Sequence, residues 1–200
     1  ISWEIRESYV IHRNKIKQKL KEFKSLPESK YFNEFLFCLL TPQSNAQRCW
    51  DAVQKIQQLK NPTSHSIKNI LRTRTRFHNN KTRYLLEAKK IWPKIQKSLH
   101  NQDRKSLRNM LAESVTGMGT KEAGHFLRNI GKSDNQFAIL DRHILRNLKE
   151  LKVIDTEIIK NKAHYFELEQ QFLTFSEKIG IPIDHLDLLF WSKETGEVFK

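Results

Sequence analysis

Two side chains in this sequence have the types and the setting for nucleophilic and electrostatic chemistry. Lys121 follows the run Gly117-Met118-Gly119 and stands just inside a helix marked by Ala123, Phe126, Leu127 and Ile130, with Gly131 as its stop. The first turn of a helix presents its positive end to that ammonium. Twenty residues on, Phe137-Ala138-Ile139-Leu140 runs into Asp141, which opens a second amphipathic helix carrying Ile144, Leu145 and Leu148. Taken singly, each has an ordinary explanation. A surface lysine is at home in solvent, and an aspartate at a helix start is an N-cap. The glycine run is equally double-sided. Short glycine turns join helices everywhere, but a turn that opens a helix also offers backbone N–H groups to an anion. The charge balance favours the anion. Lys and Arg number 36 against 22 Asp and Glu, a formal net charge of +14, which makes a nucleic acid the first partner to consider.

The elements that would position these groups are helical almost throughout. Tyr9, Ile16, Leu20 and Phe23 form one stripe, interrupted by His12 and Arg13. Phe32, Leu36 and Leu40 lie on a more buried helix that ends near Pro42, and Ser44 is placed to cap the next, with Ala46, Cys49, Val53, Ile56 and Leu59. A short helix carries Ile67, Ile70 and Leu71. A longer one carries Tyr84, Ala88, Ile91, Ile95 and Leu99, with a bend expected at Pro93. Asp103 is placed to cap the helix of Leu107 and Leu111, Thr120 the helix of Lys121, and Asp184 the last helix, with Leu186, Leu189 and Phe190. No alternating strand of useful length is present, so the expected fold class is all-α. The longest apolar run, residues 35–40, is far short of the roughly 20 residues of a membrane span. Two cysteines, Cys38 and Cys49, cannot supply a four-cysteine cluster or a disulfide framework and read as buried thiols. With no signal-peptide pattern in the first residues, an intracellular, reducing compartment is expected. The eight histidines show no metal-ligand spacing.

Gly117-x-Gly119-x-Lys121-x-Ala123, followed by an apolar segment and Asp141 opening a helix, resembles the helix-hairpin-helix superfamily of DNA glycosylases. The lysine places the resemblance with the bifunctional glycosylase/lyases. Ile139-Leu140-Asp141-Arg142-His143-Ile144-Leu145-Arg146 is similar, more narrowly, to the archaeal and bacterial second type of 8-oxoguanine DNA glycosylase. So are Leu40-Thr41-Pro42-Gln43-Ser44, Arg76-Phe77-His78-Asn79-Asn80-Lys81, and the tail from Trp191 to Lys200. One departure stands out: the interval from Lys121 to Asp141 is two residues longer than expected of the family. The extra residues are expected in the 131–136 loop, where insertion is cheap.

The resemblance implies two helical lobes with the active site in the cleft between them. One is a central lobe of residues 25–135 containing the hairpin; the other is formed by residues 1–24 and 136–200. It implies a monomer acting on double-stranded DNA that contains 8-oxoguanine, with no metal and no organic cofactor. The damaged base is flipped out of the duplex, because its atoms cannot be reached in the stack. Asp141 would stabilise the positive charge that builds on the sugar, and Lys121 would form the Schiff base from which β-elimination nicks the strand. A free lysine is only about one part in 2,500 neutral at pH 7, so such an amine must lose its proton to its surroundings or during the reaction. Trp191 would stack on the flipped purine and Phe77 would cover its other face. Phe77 could equally anchor the turn before Asn79. The base differs from guanine by a hydrogen on N7, so selection needs an acceptor there. The resemblance gives that distinction to Lys200 with its terminal carboxylate. Gln43 is similar to the family's probe of the vacated duplex, and Gly117, Gly119 and Thr120 would hold the DNA backbone. Arg72, Arg74, Arg76, Lys81 and Arg83 form a basic stretch suited to phosphates. His125 and His143 are expected to pack or to meet phosphate. Two other functions remain open: a bifunctional glycosylase for another oxidised base, and a non-catalytic helix-hairpin-helix DNA-binding module.

Overall fold

The computed structural model describes residues 2–100 and 103–200. Among the described residues there are ten α-helices and no strand. Contacts divide the chain into two units, one of Leu26–Phe126 and one of Ile1–Ser25 with Leu127–Lys200.

The first unit is built around α2 (Tyr31–Leu40), which follows a single 3₁₀ turn at Glu28–Lys30. Its sequence is apolar on nearly every side, and residues 34–40 are all buried, as suits a helix enclosed by others. α3 (Ala46–Gln57) and α5 (His78–Ser98) pack on α2, and α4 (Ser64–Arg72) packs on α3 and α5. α3 turns Cys49, Ala52, Val53 and Ile56 inward. Its N-cap is Asn45, whose side chain accepts from the Arg48 N–H, and not the expected Ser44. α4 starts with a capping box between Thr63 and Ser66. α5 runs through Pro93 and buries Lys81, Leu85, Ala88 and Ile95. α6 (Arg104–Ser114) is capped by Asp103, which accepts from the Ser106 N–H. It leads by a glycine turn into α7 (Thr120–Asn129). Phe126 of α7 meets Phe35 with ring centroids 5.2 Å apart, and Trp92 meets Phe35 at the same spacing.

The boundary between units falls inside α7, nine residues before the sequence-based boundary at 135. The cause is the end of that helix. Arg128 lies over the Phe23 ring at 5.2 Å and pairs with Asp187, and Gly131 backs directly onto Lys24.

In the second unit, α10 (Ile183–Thr195) is the centre, and α1 (Ser2–Lys24), α8 (Arg142–Glu150) and α9 (Lys162–Ile179) all pack on it. Ile5, Ile16 and Phe23 of α1, Ile144 and Leu148 of α8, Phe172 of α9 and Leu186, Leu189 and Phe190 of α10 share one core. Each such side chain contributes roughly 1.5–3 kcal/mol by leaving water. α9 ends on Gly180 in the left-handed conformation, φ +68. Pro182 holds the cap position of α10, so Asp184 is not the cap expected of it. Among the described residues no helix is long and apolar enough to cross a membrane.

Candidate active site

The glycine turn is shaped by its neighbours. Gly117 has φ +84, and a Cβ there would stand 2.4 Å from the Tyr84 ring, so no other residue fits. The Met118 N–H donates to the Val115 carbonyl at 3.1 Å. The Gly119 carbonyl accepts the first helical bond, from the Ala123 N–H, which makes Gly119 the cap and Thr120 the first residue of α7. The Gly119 N–H donates to Glu122 Oε2 at 3.0 Å. The other oxygen, Oε1, lies 2.8 Å from Lys121 Nζ. One carboxylate therefore closes the helix start and holds the candidate amine. The sequence carried a signal for this: a glutamate at the third position of a helix, half of a capping box, with glycine at the cap.

Asp141 is positioned by a segment that is buried and irregular. Phe137, Ala138, Ile139 and Leu140 are all buried, yet no strand satisfies their backbone. Side chains of α9 do so instead. Glu169 Oε2 accepts from the Ala138 N–H at 2.8 Å, and the Tyr165 hydroxyl donates to the Ala138 carbonyl at 2.8 Å and accepts from the Leu140 N–H at 3.3 Å. At the end of this segment Asp141 caps α8, Oδ1 accepting from the N–H groups of His143 and Ile144 at 2.8 Å each. Its second oxygen, Oδ2, accepts from Trp191 Nε1 at 3.1 Å. The carboxylate and the indole thus arrive together from α8 and α10. The His143 ring meets Trp191 edge-on at 6.0 Å, and Glu194 ties His143, Arg146 and Asn147 to the end of α10.

Behind them lies a buried charge cluster that the sequence reading missed. Arg128 Nη2 lies 3.2 Å from Asp187 Oδ2. Burial pushes the Asp187 carboxyl up to about 7; Arg128 opposes that shift, and Asp141 and Asp184 add to it. Asp184 is also raised by burial, against hydrogen bonds from the Ser133 hydroxyl at 2.6 Å and the Asn135 N–H at 3.1 Å. These bonds anchor the 131–136 loop to α10, with Asp134 and Asn135 both left-handed.

The turns that carry Gln43 and Phe77 are joined through Lys81. Gln43 lies in the turn before α3 at φ +53, not at the helix start expected of it. Phe77 occupies the cap position of α5 at φ +56, is 51% exposed, and has the Arg76 guanidinium 5.4 Å from its ring. The basic stretch does not act as one surface. Lys81 is buried, with its ammonium on the Leu40 and Pro42 carbonyls and the Ser44 hydroxyl at 2.7–2.8 Å. Burial lowers it to about 8, helped by the cations of Lys121 and Arg76 and opposed by Cys49. Arg74 is paired with Asp51 at 2.5 Å. Ser44, expected as a helix cap, is engaged by Lys81 and by the Arg76 N–H instead. Cys38 and Cys49 are buried free thiols. Lys200 lies partly buried in the tail beyond α10, where Val198 packs on the core.

Two helices joined by a tight glycine turn, with a lysine in the first turn after it, define a helix-hairpin-helix protein. Residues 16–181 match the family model of the helix-hairpin-helix 8-oxoguanine DNA glycosylases, and the chain belongs to that family. The 8-oxoguanine DNA glycosylase/AP lyase of Fusobacterium nucleatum is 38% identical, covering 98% of this chain and 96% of the relative. That of Metallosphaera sedula is 33% identical, covering 94% of each. The crystal structure of the Thermotoga maritima 8-oxoguanine DNA glycosylase superposes with a TM-score of 0.89 at 28% identity, covering 100% of this chain and 98% of that one. The Methanocaldococcus jannaschii glycosylase/lyase, solved in complex with a 15-mer DNA containing 8-oxoguanine, gives 0.84 at 30% identity, covering 99% of this chain and all of that one.

Proposed function

We propose that this chain removes 8-oxoguanine from double-stranded DNA and then nicks the strand. The observation that carries this reading is the Asp141–Trp191 pair, a carboxylate that accepts the indole N–H at 3.1 Å, in a chain whose full-length relatives bear the name of glycosylase/lyase. The flipped purine stacks on Trp191 with Phe77 over its other face, Gln43 fills the gap left in the duplex, and Lys200 selects for the N7 hydrogen. Gly117, Gly119 and Thr120 receive the DNA backbone, a phosphate oxygen replacing Glu122 on the Gly119 N–H.

As the N-glycosidic bond breaks, its electron pair leaves with the base and positive charge builds on C1′. Asp141 stabilises that charge. Lys121, as the neutral amine, adds its lone pair to C1′. The nitrogen gives one of its two protons to O4′ as the C1′–O4′ bond breaks, which opens the sugar ring and leaves the protonated Schiff base. A base then takes a C2′ proton, that electron pair becomes a C2′=C3′ double bond, and the C3′–O bond breaks with its pair on the phosphate, which leaves on the 3′ side of the lesion. Lys121 and Asp141 act on one sugar carbon in this scheme.

The test is borohydride trapping on a duplex with one 8-oxoguanine. A covalent protein–DNA adduct is expected from the parent and is lost in Lys121→Gln. No adduct from the parent would leave a DNA-binding module, and an adduct only with oxidised pyrimidines would reassign the substrate.

A further inference from the structure

The left-handed backbone at Gln43 and Phe77 is unexplained by packing. Neither residue type visits that region readily, and each is strained there. Both side chains are exposed, so no burial offsets the strain. Such conformations persist only where the surroundings enforce them. We propose that Lys81 is the positioning residue that sets Gln43 and Phe77 for the duplex, a role that rests on the reading of those two side chains given above.

The geometry is a single grip on both turns. Lys81 Nζ donates to the Pro42 carbonyl at 2.8 Å and to Ser44 Oγ at 2.8 Å, so both neighbours of Gln43 are held by one ammonium. Its third proton goes to the Leu40 carbonyl at 2.7 Å, the last residue of α2. Three donors meet three acceptors, which satisfies a buried ammonium. Ser44 Oγ also accepts the Arg76 N–H at 2.9 Å, and the Lys81 N–H donates to the Phe77 carbonyl at 3.0 Å. The ammonium thus reaches the Phe77 turn through Ser44 and the Arg76 N–H, while the bond from the Lys81 backbone is the first of the helix and does not depend on the side chain. A methionine reaches as far but donates nothing. An arginine keeps the charge but brings a planar fork in place of three convergent protons. That difference separates positioning from a second effect of the same group, repulsion between its cation and that of Lys121.

Two rates measure the proposal in the full chain: single-turnover excision from an 8-oxoguanine duplex, and nicking of a single-stranded oligonucleotide with a preformed abasic site. Lys81→Met and Lys81→Arg are each expected to slow duplex excision about tenfold or more, since small misplacements of this kind carry such losses. Abasic nicking should fall less than about threefold, because it needs no probe in a duplex. Added to a Gln43→Ala/Phe77→Ala background, Lys81→Met should cost less than a further factor of about two. Restoration by arginine, equal losses on both substrates, or fully multiplicative losses would each overturn the proposal. If the parent acts on neither substrate, the functional reading fails and the grip is judged without DNA. Amide exchange at Ser44 and Arg76 should then be about tenfold faster in Lys81→Met; unchanged exchange overturns the proposal. Should that variant not fold, Ser44→Ala removes only the shared acceptor and carries the same comparisons.

Discussion

Apart from Glu122 on the Gly119 N–H and the exposed cap Asp103, the two units of this chain hold their irregular backbone with opposite charges. In Leu26–Phe126 a buried cation, Lys81, gathers backbone carbonyls and holds two turns. In the unit formed by residues 1–25 and 127–200, buried or half-buried carboxylates gather backbone N–H groups: Asp141 those of His143 and Ile144, Glu169 that of Ala138, Asp184 that of Asn135. The difference follows from what each must present. A cation on carbonyls fixes the path of a turn and leaves its side chains outward. A carboxylate on N–H groups keeps a second oxygen for another task, as Asp141 does with Trp191. The first arrangement suits contact with a large polyanion, and the second suits a negative charge delivered to one point.

Asp141→Asn tests the carboxylate half most severely. Asparagine caps a helix about as well as aspartate, but it has one acceptor where aspartate has two. It can serve the cap or the Trp191 indole, not both. Base removal should slow by about 10²–10³, the usual loss when a charge-stabilising group is taken from a reacting centre, while the far-ultraviolet spectrum stays helical. Single-turnover excision with circular dichroism checks both halves; loss of the fold would reduce Asp141 to its capping role. In the other unit, Gly117→Ala should cost about 2 kcal/mol or more in stability, from a strained φ and a collision with Tyr84, and should lower Tm by several degrees. A smaller loss would mean that the hairpin yields more easily than the Tyr84 contact suggests.

Tyr165→Phe sharpens the comparison at the next level down. One hydroxyl serves both the Ala138 carbonyl and the Leu140 N–H, and its removal leaves two buried backbone groups without that partner. The cost should be about 1–3 kcal/mol, read from denaturant midpoints. The same segment shows what a sequence reveals and what it hides. Helical stripes such as Ile16 and Phe23, or Ile144 and Leu148, repeat at the helix period and are legible, as is the hairpin by its glycines. Caps were misplaced by a residue or two at Ser44, Thr120 and Asp184, because cap-capable residues stand beside one another and only geometry chooses among them. The bond from Trp191 to Asp141 joins residues 50 apart, and no local pattern announces it. Lys81 was hidden differently. It sits four and seven residues before Leu85 and Ala88, at the head of the buried face of α5. A charge in register with an apolar stripe was the signal, and membership of a basic run concealed it.

The smallest expected effect concerns the carboxylates that do not touch backbone. Asp187 faces Arg128, Asp141 and Asp184, and its carboxyl rises from 3.8 to about 7 on folding. Between those values the folded protein keeps a proton that the unfolded chain has released. The stability this provides is full below about pH 4 and is lost as the pH climbs through 7. The slope is at most about 1.4 kcal/mol per pH unit, roughly 3 °C in Tm for a chain of this length. Asp187→Asn should flatten that slope between pH 5 and 7 whatever it does to the absolute Tm, because an amide binds no proton in that range. Thermal melts of both proteins across that range decide it. Parallel curves would place the Asp187 carboxyl among ordinary surface acids and dissolve the contrast between the units, because a carboxylate that ionises freely needs no scaffold built around its charge.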